Sequence, residues 1–277
     1  MPRIFMSNAF FALGKGRRRA PLRFRQGSQN ILVSSPMGLA TIWDADILIW
    51  ATSTMIAAQR CGAPIPTVLQ ATRYEILGFP GRDVSGGYYE RLPDGLERLS
   101  RTNVVISASE WTDEQTGAPW IEDWRISDGF VQIRLAAWLR EAVLTPRAVL
   151  ALDPAYFTLT SGLERLLYLI ARRHAGRQKD GWIFEVTHLY RKTGTTQPLT
   201  AFVAFLRRLI QSGGLPGYRL ELSDRNWPER VRIRPVADVP VDNAVDNLVD
   251  DFGKTRLSPR GSTPIALENH RQGIVRQ

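Results

Sequence analysis

The alternation of apolar and polar positions is clearest between Phe184 and Arg234. Phe184, Val186, Leu189 and Tyr190 recur at helical spacing until Lys192-Thr193-Gly194-Thr195-Thr196 breaks the pattern. From Leu199, a stripe of Leu199, Phe202, Val203, Leu206, Leu209 and Ile210 follows the spacing of an amphipathic helix. A threonine ahead of Pro198 suits its start, because a hydroxyl caps orphan amides and proline is tolerated in a first turn. Tyr218, Leu220 and Leu222 then alternate with Arg219 and Glu221. After a polar turn over 223–229, Val231 and Ile233 alternate with Arg230, Arg232 and Arg234. Helix, glycine turn, helix and hairpin in this order predict a winged helix-turn-helix, which sets its second helix in a DNA major groove and its wing against the backbone. Such geometry also occurs in domains that bind only protein, so the pattern alone leaves the partner open.

The first half repeats the order. Ile31 to Val33 reads as a short strand, and Thr41 to Ala58 as a long helix with a broad apolar face. Asp44 and Asp46 lie two apart and share no helix face, which argues against a paired-carboxylate metal site and for solvated positions in the first turn. Arg73 to Leu77 predicts a short helix, 78–87 a glycine-rich turn, and Tyr88 to Arg101 a second helix. Pro93 and Gly95 interrupt that helix, so a start at Leu92 with Pro93 in the first turn is the alternative. Asn103 to Ser107, Trp120 to Ile126 and Phe130 to Leu135 alternate as strands. Ala136 to Leu144 is a short helix, Leu150 to Leu152 an edge strand, and Ser161 to His174 a helix with Leu163, Leu166, Leu167 and Ile170 inward. Trp43, Trp50, Tyr156, Phe157 and Tyr168 are expected core aromatics. The fold class is therefore α+β: tandem winged helix-turn-helix units over 31–145 and 146–235, with a flexible basic arm over 1–30 and a largely disordered tail over 236–277.

Charge sharpens the choice of partner. The chain carries a net charge of +9, with a pI near 10.2. Residues 184–234 hold nine basic side chains against four acidic ones, concentrated at the turn, the exposed helix face and the wing, where phosphates would lie. Residues 1–30 hold seven basic side chains and no acidic one, an arm for phosphates or a minor groove, or else a solubilising tail, with a short docked turn at Ala9 to Leu13. Candidate DNA contacts follow from placement. They are Lys15, Arg17, Arg18 and Arg19 on the arm; Tyr88, Arg91, Arg98 and Arg101 on the first reading helix; and Arg191 and Lys192 at the second turn. Thr195, Thr196 and Gln197 sit at the start of the second reading helix, Arg207 and Arg208 further along it, and Arg230, Arg232 and Arg234 on the wing. Gln197 is the foremost candidate for base readout, since glutamine can bond adenine bidentately.

Beyond Pro235 five aspartates precede Lys254, and Val241, Val245, Leu248, Val249 and Phe252 fall at helical spacing among them. This is an acidic amphipathic helix, either docked on its own domain or offered to a protein partner. Cys61 is the sole cysteine, so no intrachain disulfide forms, and its small neighbours suggest an inert buried thiol. No apolar run approaches the ~18 residues of a membrane span, and no secretory signal opens the chain, so a bacterial cytoplasm is expected. Gly253-Lys254-Thr255 imitates the end of a P-loop, but Leu248 stands where the first glycine belongs. The three histidines, His174, His188 and His270, include no pair at ligand spacing, and His188 reads as packed or turn-facing. These observations point to a non-enzymatic binder without metal or cofactor.

Several strings are specific. Gly38 to Trp50 (GLATIWDADILIW), Tyr74 to Leu77, Tyr88 to Leu92, Ile121 to Trp124, Leu152 to Phe157, Gly162 to Tyr168, His188 to Gly194 and Leu215 to Tyr218 closely resemble the plasmid replication initiator protein A family, in order, over about residues 8–235. The resemblance implies a theta-type initiator that binds repeated double-stranded origin sites, helps open the duplex and recruits the host initiator and helicase. It also implies a monomer–dimer equilibrium in which the dimer represses its own gene. The alternative is a tandem winged-helix transcriptional regulator without a role in initiation. A nicking enzyme would need a metal site that the histidine spacing does not supply.

Overall fold

The chain lays down one element order twice. The computed structural model describes residues 1–79, 81, 86–108, 117–176, 178–223 and 229–236. A 3-10 turn, Arg3–Met6, leads to the hairpin β1 (Leu22–Gln26) and β2 (Gln29–Ser34), and then to α1 (Ala45–Arg60). Next come β3 (Leu69–Thr72), α2 (Arg73–Gly78), α3 (Gly86–Arg101), β4 (Asn103–Ser107), β5 (Ala118–Pro119), β6 (Ile121–Ser127), β7 (Phe130–Leu135) and α4 (Ala137–Leu144). A second 3-10 turn, Pro154–Thr158, precedes α5 (Gly162–His174), β8 (Trp182–Glu185), α6 (Val186–Thr193), α7 (Leu199–Gln211), β9 (Tyr218–Ser223) and β10 (Arg230–Pro235).

Set side by side, α1-β3-α2-α3-β6-β7 and α5-β8-α6-α7-β9-β10 match element for element. Their sheets match too: β3-β7-β6 and β8-β10-β9 both place the last strand in the centre. The first unit carries an addition, the antiparallel sheet β1-β2-β4-β5. Local chemistry starts and stops these elements. Thr72 and Glu75 form a reciprocal capping box that opens α2. Gly194, at φ 56°, ends α6 in the left-handed conformation that a residue without a Cβ adopts without steric cost. Asp128 and Gly129, both at positive φ, make the two-residue turn between β6 and β7, as the right-handed twist of a hairpin favours.

The structure departs from the sequence expectations in several places. Residues 1–30 are not a flexible arm. Phe5, Met6, Phe10 and Phe11 are buried, and the three phenylalanines surround Trp120, with Phe11 stacked on it at 4.9 Å and Phe5 edge-on at 4.8 Å. The arginines suggested an arm, but apolar residues at 5–6 and 9–13 decide the outcome by burial. The same segment covers α5, so Arg165 to Arg172 is buried without a break. A helix apolar all round needs cover on every side.

Helix α1 starts at Ala45, and Asp44 and Asp46 are buried rather than solvated. Helix α3 runs unbroken from Gly86 with Pro93 inside it, so the alternative start at Leu92 is not taken. Its Gly95 explains itself by close approach: a Cβ there would lie 3.0 Å from Asp44 Oδ1 and 3.3 Å from Ile47 Cδ1, so α3 crosses α1 at this point. Residues 150–152 form no strand; Val149 makes only an isolated bridge to Pro2. Cys61 is exposed at the end of α1, not buried. The acidic stretch 238–252 and the tail to 277 lie outside the described residues.

Candidate nucleic-acid interface

In the second unit the turn between α6 and α7 is held by its own side chains. Tyr190 Oη donates to the Gln197 carbonyl at 2.7 Å, Thr193 Oγ1 donates to Tyr190 O at 2.7 Å, and the Thr195 amide donates to Thr193 Oγ1 at 3.3 Å. Thr195 Oγ1 accepts from the Gln197 amide at 3.3 Å, so its hydroxyl braces the turn. It does not cap α7, whose cap position is Pro198 without a side-chain bond, as against the expected threonine cap. Phe202, Leu206 and Leu209 bury the inner face of α7, which leaves Thr196, Gln197, Thr200, Ala204, Arg207, Arg208 and Gln211 exposed around its start and outer face. Arg207 Nη2 lies 3.3 Å from Glu229 Oε1, which ties the helix to the loop end of the hairpin.

On that hairpin Val231 and Ile233 point inward and are fully buried, so Arg230 and Arg232 stand on the exposed face of the central strand. Arg234 continues the row but pairs with Glu221. Of the turn residues, Arg191 is exposed, whereas Lys192 is not available as expected. Its Nζ donates to Ser7 O at 3.2 Å, and burial, then Arg173, pushes its pKa down.

The first unit is arranged alike but charged differently. Helix α3 carries Glu90, Asp94 and Glu97 against Arg91, Arg98 and Arg101, whereas α7 has two arginines and no acid. Arg98 does not face outward as expected: Nε and Nη2 each reach Asp44 at 2.8 Å, and this hydrogen bonding raises its pKa. Arg101 is exposed and bonds Glu97 one turn back at 2.9 Å. Arg91 is exposed and, with Lys15, lines a cavity of about 540 Å3 between α1, α3 and residues 157–160. Lys15 Nζ lies 5.6 Å from the centre of the Trp43 ring. Tyr88 falls on α3, but its side chain is outside the described residues. Arg17 and Arg19 are exposed, whereas Arg18 is half-buried, with Nη1 donating to Gly194 O at 2.7 Å. Two further basic residues, Arg125 and Arg134, are exposed on the first hairpin. The alternation of Gln132 and Arg134 with Val131, Ile133 and Leu135 signalled that face.

A family model for replication initiator protein A matches residues 3–220. The chain belongs to the replication initiator protein A family. It is 30% identical over 232 residues to a "Putative replication protein" of Wigglesworthia glossinidia brevipalpis, a match that covers 78% of this chain and 82% of that protein. Crystal structures of domains 2 and 3 of RctB share the fold. One aligns with a TM-score of 0.61 at 16% identity, covering 84% of this chain and 98% of that one; another gives 0.53 at 14% identity, covering 83% and 96%. The family match begins at residue 3 and so takes in the N-terminal segment, which agrees with its place in the core. Among the described residues no cluster of His, Cys, Asp and Glu has metal-binding geometry, and no helix is long and apolar enough to cross a membrane. His188 is exposed on α6 rather than packed, while His174 lies against Trp182 and Phe184.

Proposed function

We propose that this chain is a plasmid replication initiator that binds repeated double-stranded origin sites through its two winged helix-turn-helix units. In this reading it helps open the duplex and recruits host replication proteins, without catalysing a covalent step itself. The observation that carries the reading is the duplication of one unit, each presenting the second helix of a helix-turn-helix beside a hairpin with exposed arginines. In such units that helix enters the major groove and the hairpin meets the backbone. Charge divides the labour. Helix α7, with Arg207 and Arg208 and no acid, supplies more of the phosphate attraction than the charge-balanced α3.

Selection of bound duplexes from a random pool, followed by footprinting, tests this. A recovered site should hold two half-sites covering roughly two helical turns. Supplying the protein in trans should then maintain a plasmid that carries the site. Recovery of no sequence, or recovery of a site that never supports maintenance, would count against an initiator; the latter outcome would favour a regulator.

A further inference from the structure

We propose that residues 7–18 form an internal strap that fixes the second reading helix relative to the first unit, with Arg18 and Lys192 as positioning residues rather than phosphate contacts. The inference rests on the DNA-reading role proposed above. On the side of the first unit, the Ala12 amide donates to Ala40 O at 2.9 Å and the Ile42 amide donates to Ala12 O at 3.0 Å, just ahead of α1. On the side of the second unit, the Ala9 amide donates to Lys192 O at 2.9 Å, Lys192 Nζ donates to Ser7 O at 3.2 Å, and Arg18 Nη1 donates to Gly194 O at 2.7 Å. Lys192 lies in the last turn of α6 and Gly194 is its C-cap, so these fasteners close on the turn that aims α7.

Between its ends the strap crosses the first turn of α5 with no spare room: a Cβ on Gly162 would lie 2.1 Å from Leu13 O. At Gly194 a Cβ would meet Leu22 Cδ2 at 3.0 Å and Ala9 Cβ at 3.3 Å. Arg18 places its charge at the C-terminal end of α6, where exposed carbonyls favour cations, and the Lys192 ammonium is taken up by Ser7 O. Their function is therefore met within the protein. A reading helix tied in this way to the other unit accepts half-sites at one separation only.

The test uses the full-length chain and the duplex selected by the wild type, with zero, two or five base pairs inserted between the half-sites. Wild-type protein should lose about a hundred-fold in affinity on the five-pair insertion, which turns one half-site by about half a helical turn. Arg18→Met should weaken binding to the native duplex about ten-fold, chiefly through loss of the charged hydrogen bond to Gly194 O. It should also tolerate the insertions better, with an unchanged slope of affinity against salt. Arg19→Met, which removes one charge from an exposed neighbour, should flatten the salt slope by about one unit and keep the spacing dependence. Gly162→Ala removes no charge and should relax spacing as Arg18→Met does. If Arg18→Met instead retains the wild-type spacing dependence and flattens the salt slope as Arg19→Met does, Arg18 is a phosphate contact and the strap does not set spacing. If wild-type protein selects no duplex, the DNA-reading role itself falls.

Discussion

Arg165 Nη1 lies 2.9 Å from Asp46 Oδ1, so a fully buried guanidinium on α5 is neutralised by a carboxylate on α1. The same arginine donates from Nε to Leu159 O at 2.9 Å and from Nη2 to Phe157 O at 3.3 Å, so all three nitrogens of its fork are engaged. Because the partners belong to different units, the pair joins the two halves of the chain. Asp46→Ala should destabilise the protein by about 3–5 kcal/mol, since it leaves an uncompensated buried charge. Replacing both partners together, Asp46→Leu with Arg165→Met, should recover most of that loss. Urea unfolding of the three variants checks this; a double variant as weak as the single one would show that packing dominates.

Gly95 offers a graded test of the α1–α3 crossing. Gly95→Ala should be nearly neutral, since the gain of about 1 kcal/mol in helix propensity offsets the tight approach to Asp44 and Ile47. Gly95→Leu should cost about 1–3 kcal/mol by overpacking. Equal unfolding midpoints for the two variants would place the crossing elsewhere.

The arginine row on β10 should not act uniformly. Arg230→Ala and Arg232→Ala should each flatten the log–log salt dependence of DNA binding by roughly one unit. Arg234→Ala should flatten it less, because that side chain already pairs with Glu221. Titrations over a range of salt concentrations separate the three, and identical slopes would mean that this strand does not face the backbone.

Base readout should centre on the start of α7. Gln197→Ala should lower the preference for the selected site over a scrambled duplex by about 1–3 kcal/mol, confined to one base pair, with nonspecific affinity intact. Arg208→Ala should weaken both duplexes alike. An equal loss on both duplexes for Gln197→Ala would mean that this residue does not read a base.

Acid should loosen the second unit through His174. Burial first, then Lys192, Arg173 and His188, lowers its pKa from 6.5 to about 4 in the folded chain. Between those values the unfolded chain binds the extra proton, so the stabilisation is complete above the unfolded pKa and is lost as the pH falls through this window. His174→Phe keeps a ring against Trp182 and Phe184 and should flatten the fall in melting temperature between pH 6.5 and 4. A fall as steep as in the wild type would assign the acid sensitivity to carboxylates.

The parts of the fold legible in the sequence were those set by local periodicity. The α7 stripe at Phe202, Leu206 and Leu209 and the Val231–Ile233 alternation both give the burial observed. What stayed hidden depends on distant partners. Nothing near Asp44 or Asp46 announces that Arg98 and Arg165, 54 and 119 residues away, will take them out of water. The run of arginines at 17–19 masked the apolar Phe5, Phe10 and Phe11 before it, whose partner Trp120 lies in the middle of the chain. Helix α5 carried a readable warning, because Leu166 to Ala171 is apolar on every side and could not have faced solvent.

The strap also has a consequence for the order of events during synthesis. Arg18 and Gly194 are 176 positions apart, so residues near the beginning of the chain must await a turn made far later. At about 5–20 residues per second, the ribosome leaves that interval open for roughly ten seconds or more. During it Phe5, Phe10 and Phe11 can reach Trp120 before Ala9 can reach Lys192. The first half can therefore collapse with one flank unfinished, and the late closure of contacts this distant in sequence should slow the last step of folding.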